Sequence, residues 1–227
     1  MSDALASQAA GSWTAVDLVQ RFGAIPLCRV RHDPAPGTAV EEDVVTIHDR
    51  EDRLYELIDR TLVAKTVGTY ESYLAMMLGR ILGNFIADHN LGVVLGSDGM
   101  LRLAPGLVRI PDVSFISWMR LPDGRMPNQA IADVVPDLAI EVISRGNTRE
   151  EMERKLYEYF DVGVRLVWYV YAQTREVRAY MTPGHFESLT AEQILDGGQV
   201  LPGFSLPLAV VFADPVQTVV GKPNNQA

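Results

Sequence analysis

Two carboxylates stand inside apolar segments of this sequence, where an isolated charge would lose much of its hydration. Glu141 lies in the middle of "DLAIEVIS", which has the pattern of a buried strand, and Asp112 lies in "RIPDVSF". If these two strands are neighbours, their backbones lie about 4.8 Å apart. Paired carboxylates at that spacing form a hard oxygen site suited to Mg²⁺ or Mn²⁺, which also bind substrate phosphate. The pattern therefore predicts a metal site built on Asp112 and Glu141.

Two further acids are candidates for the outer part of this metal shell. Asp137 shares the face of Glu141 because side chains alternate along a strand, but it lies about 13 Å away along that strand, which is too far for both to hold one ion. It is therefore read as a turn residue that opens the strand and supports the site. Glu71 begins a long helix and either completes the metal shell or complements the helix dipole.

A lysine follows Glu141 on the next predicted helix, "TREEMERKLYEYFDVG". Lys155 lies at the margin of the apolar stripe of this helix, so that its stem can cover apolar surface while its ammonium group points towards the carboxylates. A metal and a cation at one site suit phosphoryl transfer, because both offset negative charge that develops on the phosphate.

Each of these residues also has a purely structural interpretation. Asp112 follows a proline and can cap a turn. Glu141 can form a buried ion pair with Arg109, and Lys155 can form an ordinary pair with Glu151 one helical turn away. The three inward residues together favour a catalytic site more than any one of them alone.

The segments that must position these residues alternate between helical and extended patterns. Thr148 and Glu151 form a capping box at the start of the helix that carries Lys155, and Gly163 ends it. The whole pattern predicts an α/β fold with a mixed sheet flanked by helices and an N-terminal helix and hairpin. The predicted helices are "WTAVDLVQRFG", "ESYLAMMLGRILGNFIADHN" and "TREEMERKLYEYFDVG"; the predicted strands are the hairpin "RLYELIDRTLVAK", then "GVVLG", "GMLRLA", "VRIPDVSFISW", "PDLAIEVIS", "VRLVWYVYA", "EVRAYM" and "GHFESL".

Composition narrows the class of protein. The chain has 227 residues, 48% hydrophobic and 22% charged, with one cysteine, which excludes an internal disulfide. No segment has the roughly 20 apolar residues of a membrane span, so we expect a cytoplasmic protein with no membrane partner. We expect one domain at residues 13–215, with disordered tails at 1–12 and 222–227. The net charge is −9, but acids and bases nearly balance between Asp98 and Met181, where any contact with an anion is expected.

Five motifs in order resemble the Uma-type restriction endonucleases of the PD-(D/E)XK nuclease superfamily. They are "LYELID", "IPDVSF", "PDLAIEVIS", "KLYEYFDVGV" leading to "RLVWYVY", and "LPGFSLPL", and the resemblance runs from Trp13 to Phe212. The resemblance implies a mixed sheet flanked by helices and a site made of an Asp, a Glu two residues before a Lys, and a divalent metal. Here Asp112 and Glu141 match, whereas Ile143 stands in the lysine position. The resemblance then implies that Lys155 supplies the cation.

These observations lead to two classes of function. The first is a Mg²⁺- or Mn²⁺-dependent endonuclease that hydrolyses phosphodiester bonds in nucleic acid, with duplex DNA as the expected substrate and RNA or branched DNA as alternatives. The second is a catalytically inactive module that keeps the nuclease fold for binding or dimerisation, which the acidic charge and Ile143 favour. The resemblance also implies a homodimer.

Overall fold

The computed structural model describes residues 13–66 and 68–214, so the predicted tails at 1–12 and 222–227 lie outside the described residues. The helices are α1 (Ala15–Phe22), α2 (Glu41–Glu51), α3 (Thr69–Asp88), α4 (Arg149–Asp161) and α5 (Leu208–Val211). The strands are β1 (Tyr55–Ile58), β2 (Thr61–Ala64), β3 (Gly92–Leu95), β4 (Leu101–Ala104), β5 (Leu107–Arg109), β6 (Val113–Ser117), β7 (Leu138–Ile143), β8 (Leu166–Tyr171), β9 (Glu176–Thr182), β10 (His185–Thr190), β11 (Ile194–Asp196) and β12 (Ser205–Pro207).

A six-stranded sheet forms the centre of the fold, in the order β10-β9-β8-β7-β6-β3. Strands β7 and β8 are parallel and are joined through α4, whereas the other neighbours are antiparallel. A parallel pair needs such a crossover connection, because its two strands run in the same direction. The predicted α/β fold with a mixed sheet flanked by helices is confirmed.

The two faces of β7 pack against different helices. Leu138, Ile140 and Val142 belong to the core beneath α3, whereas Ala139 packs with residues of α4 such as Leu156. This division follows from the alternation of side chains along a strand. Glu141 has the same parity as Ala139, so its side chain points to the α4 side of the sheet.

A smaller sheet, in the order β2-β1-β5-β4, carries the N-terminal extension. The hairpin of β1 and β2 is predicted by the sequence, and its two faces are covered by different helices: Leu57 packs with residues of α2, and Ile58 with residues of α1. The side chain of Glu56 lies on the same face of β1 as that of Ile58, because side chains alternate along a strand. A two-stranded sheet of β11 and β12 completes the strands of the described residues.

The structure differs from the sequence patterns at several places, and α5, β11 and β12 have no predicted counterpart. Helix α2 has no counterpart among the predicted helices, because it begins after Val40 and so lacks the Ser, Thr, Asp or Asn cap that usually marks a helix start. The stretch "VRIPDVSFISW", predicted as one strand, is divided into β5 in the small sheet and β6 in the large sheet. Pro111 lies at this division, and proline cannot donate a ladder hydrogen bond.

None of the helices at 13–66 and 68–214 combines the length and the apolar character that crossing a bilayer requires.

Candidate active site

Glu141 is buried in the middle of β7, on the face that α4 covers. Its Oε1 accepts a hydrogen bond from the hydroxyl of Tyr159 and lies 2.8 Å from Nζ of Lys155. Burial raises the pKa of Glu141, and the neighbouring carboxylates of Asp112 and Glu56 raise it further, while Lys155 opposes them. The buried carboxylate therefore has a cation beside it, as its position in an apolar strand requires.

Asp112 directly precedes β6 and ties that strand to β7. Its backbone N–H donates to the carbonyl of Ile140 at 3.0 Å, and its Oδ2 accepts from the backbone N–H of Val142 at 2.7 Å. Strands β6 and β7 are neighbours, with Val113 opposite Ile140. Asp112 is thus held against the strand of Glu141 by its backbone on one side of that residue and by its carboxylate on the other.

Lys155 comes from the second turn of α4 and is buried, with only 4% of the residue exposed. Its Nζ lies 2.8 Å from Glu141 Oε1 and 2.9 Å from Glu56 Oε1. Burial lowers the pKa of Lys155, but these two carboxylates outweigh that effect and raise it above its ordinary value. The side chain is therefore an ammonium ion at neutral pH.

Glu56 of β1 is a site residue that the sequence analysis did not single out. Its Oε1 accepts from the backbone N–H of Ile110 at 3.0 Å, and its Oε2 accepts from Arg109 at 2.7 Å. Burial raises the pKa of Glu56, but Lys155 and Arg109 lower it below its usual range. The available signal was the one that marked Glu141: a carboxylate inside an apolar strand, here in "LYELID".

Lys65 is a second site residue that no sequence pattern marks, because it is a single lysine after a strand. It directly follows β2, and its Nζ lies 2.9 Å from Asp112 Oδ1. The same nitrogen donates to the carbonyls of Ser97 at 3.0 Å and Ile110 at 2.7 Å. Lys65 thus gives Asp112 a cation, as Lys155 does for Glu141.

These residues surround a pocket of about 10 Å³, which we call the central pocket. This volume is close to that of one small bound species such as a water molecule. Oε2 of Glu141 accepts no hydrogen bond from the described residues. This oxygen is not fully enclosed by protein atoms, so part of its surface remains accessible. The lining residues are Arg29, Glu56, Lys65, Thr66, Asp112, Glu141, Val142, Asn147, Glu151 and Lys155.

The oxygens of the central pocket fit a divalent cation. Asp112 and Glu141 both line the pocket, and their carboxylates are the type of oxygen that would suit Mg²⁺, which is usually held by one or two carboxylates with water and phosphate. Across residues 13–66 and 68–214, no three side chains of His, Cys, Asp or Glu form a ready metal cage. The donor set is therefore the two-carboxylate type, which leaves other coordination positions to water and substrate.

Glu71 and Asp137, expected as outer metal ligands, do not line the central pocket. Glu71 lies in the first turn of α3 with its carboxylate folded against Gly68, which agrees with the helix-dipole interpretation. Asp137 is buried before β7, where its Oδ2 accepts from the backbone of Ser117 and its Oδ1 pairs with Arg120. The structure therefore places both carboxylates outside the pocket, with Ser117 and Arg120 as partners of Asp137.

The two ion pairs considered as structural alternatives are made with other partners. Arg109 is fully buried and pairs with Glu56 and Glu158 in place of Glu141. Glu151 pairs with Arg29, at 2.7 Å, in place of Lys155. The alternative pairs of Glu141 with Arg109 and of Lys155 with Glu151 therefore do not form, and Lys155 contacts Glu141 instead.

The chain matches the family model Uma2, described as "putative restriction endonuclease", over residues 41–209. Among solved structures, it is similar to the crystal structure of a putative nuclease belonging to DUF820 from Anabaena variabilis, with a TM-score of 0.63. The two sequences are 15% identical, and the similarity covers 71% of this chain and 90% of the other. No match was found among curated proteins.

Proposed function

The chain belongs to the Uma2 family of putative restriction endonucleases, and we propose that it is a divalent-metal-dependent endonuclease that hydrolyses phosphodiester bonds in DNA. The observation that carries the proposal is one pocket on two neighbouring strands that is lined by the carboxylates of Asp112 and Glu141, each with a lysine ammonium group beside it. Burying this many charges costs free energy that apolar residues would not. A site that binds a cation and a phosphate gives these charges a function.

In this proposal Asp112 and Glu141 hold Mg²⁺ or Mn²⁺. The free Oε2 of Glu141 is the oxygen available to an ion, while its Oε1 remains with Tyr159 and Lys155. When bound, a divalent cation stabilises the charge that develops on the phosphate oxygens and favours ionisation of a water molecule. The backbone N–H of Val142 keeps the carboxylate of Asp112 in its orientation.

Lys155 acts as a fixed positive charge in this proposal. The carboxylates of Glu141 and Glu56 lie 2.8 and 2.9 Å from its nitrogen and favour the protonated form. Its ammonium group donates to oxygen atoms, so it can orient an attacking water beside Glu141 and stabilise negative charge on the phosphate. Glu56 is a positioning residue, since its Oε1 lies 2.9 Å from the same nitrogen of Lys155 that contacts Glu141.

One arginine near the site has no ion pair among the described residues and is placed to contact a nucleic acid phosphate. Most arginines between Arg102 and Arg178, the region where phosphate contacts are expected, form ion pairs with acids of the chain. Arg145 is exposed, has no ion pair in the described residues, and lies in the loop just before Asn147 of the central pocket. We assign Arg145 to a phosphate of the DNA backbone.

A non-catalytic binding module is the second candidate. It is favoured by Ile143 in the usual lysine position and by the two carboxylates that already hold Lys155. Metal binding separates the two candidates, because a module without catalysis has no need of a cation between Asp112 and Glu141.

The experiment is a cleavage assay on supercoiled plasmid, linear duplex, branched DNA and RNA, each with Mg²⁺ and with Mn²⁺ at low ionic strength. The wild-type protein should nick or cut duplex DNA, and Asp112→Asn should not. If only RNA or branched DNA is cleaved, the proposed duplex substrate is wrong, but the proposed phosphodiester hydrolysis is retained. If the wild type cleaves nothing, or Asp112→Asn cleaves equally well, the binding-module function replaces the nuclease.

We further propose that residues 13–215 act as one domain and that two copies pair, since a homodimer brings two sites to the two strands of a duplex. In support of one domain, the central pocket takes Glu56 from the small sheet and Glu141 from the large sheet. Sedimentation of the protein with and without a DNA duplex tests the homodimer.

A further inference from the structure

A second cavity, of about 640 Å³, opens beside the central pocket between α4 and strands β8 to β10. We call it the aromatic cavity, because Tyr169, Tyr171, Tyr180 and Phe186 form much of its wall. Its volume lies within the range of pockets that bind small organic ligands. The proposed cleavage chemistry makes no use of it.

The aromatic cavity adjoins the proposed active site. Asn147 lines both the central pocket and the aromatic cavity. In the sheet register, Glu141 is opposite Tyr169, and Tyr169 is opposite Arg178, so the three side chains share one face. Neighbouring strands are about 4.8 Å apart, which places the backbone of Arg178 about 10 Å from that of Glu141.

The cavity wall presents flat π-surfaces together with a cation. The guanidinium carbon of Arg178 lies 4.7 Å from the ring centroid of Tyr171 and 5.4 Å from that of Phe186. The rings of Tyr180 and Phe186 are 4.8 Å apart. Planar aromatic rings and stacked arginine are the surfaces on which proteins hold unpaired nucleobases, because every base has a π-face.

Exposure at the mouth of the cavity argues against a purely structural cluster. Phe186 is 43% exposed although its ring contacts Arg178 and Tyr180. Polar groups of Asn147 and Arg149 complete the wall on the α4 side, and these can donate to base edges or phosphate. Arg149 also pairs with Glu153 at 2.7 Å, so the wall on this side is polar and charged.

From these observations we propose that the aromatic cavity binds the base of an unpaired nucleotide of DNA, next to the phosphate that a metal held by Asp112 and Glu141 would bind. This inference rests on the proposed function for its substrate. It adds that the substrate is single-stranded at the site, or that one base leaves the duplex stack, which enzymes achieve when the extruded base enters a fitting pocket.

The test measures binding without cleavage, in the presence of a chelator of divalent metals. The probe is a short single-stranded oligodeoxynucleotide with one 2-aminopurine, whose fluorescence falls when it stacks on an aromatic ring. Binding to the wild type should quench the probe, and Phe186→Ala should weaken binding about tenfold and remove the quenching, since base stacking on one ring has about this effect. Met181→Ala is the matched control, because Met181 is 50% exposed on β9 and does not line the cavity.

A second probe replaces the 2-aminopurine nucleotide by an abasic one. The wild type should bind this abasic probe about tenfold more weakly than the intact probe. Phe186→Ala should bind both probes about equally. This pattern would show that the base contributes to binding through its contact with the ring of Phe186. Tyr171→Leu serves as a second variant, with thermal denaturation to verify folding of each protein. Equal binding of both probes by the wild type, or unchanged quenching in both variants, overturns the inference.

The two proposals fail separately in this design. If the protein cuts DNA but Phe186→Ala binds and quenches as the wild type does, the base site is wrong and the nuclease stands. If no nucleic acid is cut but the quenching depends on Phe186, the base site stands and the nuclease is wrong.

Discussion

The ammonium nitrogen of Lys155 lies 2.8 Å from Oε1 of Glu141, and both side chains are buried. Glu56, from the other sheet, lies 2.9 Å from the same nitrogen. Lys155 therefore forms ion pairs with a residue of each sheet. Its replacement should lower both the free energy of unfolding and the cleavage activity.

Lys155→Met should abolish DNA cleavage and lower the free energy of unfolding by about 3–5 kcal/mol, because two buried carboxylates lose a shared cation. Chemical denaturation measures the stability. Arg149→Met, on the same helix but 85% exposed at its side chain, should change the free energy of unfolding by less than about 1 kcal/mol. The double variant Lys155→Met with Glu141→Gln should recover part of the stability but no cleavage. A Lys155→Met protein as stable as the wild type contradicts the assignment of a buried charge.

Glu141→Gln and Asp112→Asn should each abolish Mn²⁺ binding, measured by calorimetric titration without DNA. Either change removes one of the two carboxylates that the proposal gives to the metal. Glu71→Gln is the control and should bind Mn²⁺ as the wild type does, since Glu71 does not line the central pocket. Equal Mn²⁺ binding by Glu141→Gln and the wild type would show that the ion is held elsewhere.

Arg145→Ala should weaken binding to any DNA sequence and reduce the slope of log affinity against log salt concentration by about 1, because it removes one phosphate contact. Its melting temperature should not change, since Arg145 has no ion pair in the described part of the chain. Arg125→Ala is the matched control: it is also exposed, and it follows the end of β6 that is remote from Asp112. The prediction fails if both variants show the same salt dependence.

Glu151 should make the stability of the protein depend on pH. Burial raises its pKa, but the hydrogen bonds and charge of Arg29 outweigh burial, so the pKa of Glu151 is lower in the folded protein. A lowered pKa means that the pair stabilises the fold above the unfolded value of about 4.3 and that this contribution is lost as pH falls through the folded value.

Denaturation of wild type and Glu151→Gln at several pH values checks this dependence. The wild type should be more stable by about 1.5–3 kcal/mol near pH 6, the usual contribution of a hydrogen bond to a charged group. The difference should begin to shrink below about pH 4, where the carboxyl of the unfolded chain takes up its proton first. A difference that stays constant down to about pH 3 would assign the effect to the capping box of α4, not to charge.

Local patterns in the sequence were sufficient for most of the elements that carry the site. The capping box of Thr148 and Glu151 defines the start of α4, and alternation along β7 places Glu141 on the face opposite Ile140. The apolar surroundings of Asp112 and Glu141 were enough to select both as inward carboxylates. These features depend on residues close together in the chain, so they can be read without knowledge of the fold.

Tertiary structure alone decided the partners of these residues. Glu56 and Lys65 reach the central pocket only because the small sheet packs against α4 and the large sheet, and Glu56 is 85 residues from Glu141 in the chain. The aromatic cavity likewise depends on the order of β8, β9 and β10. No local pattern encodes such contacts, because they are determined by how separate sheets and helices bury their apolar faces together.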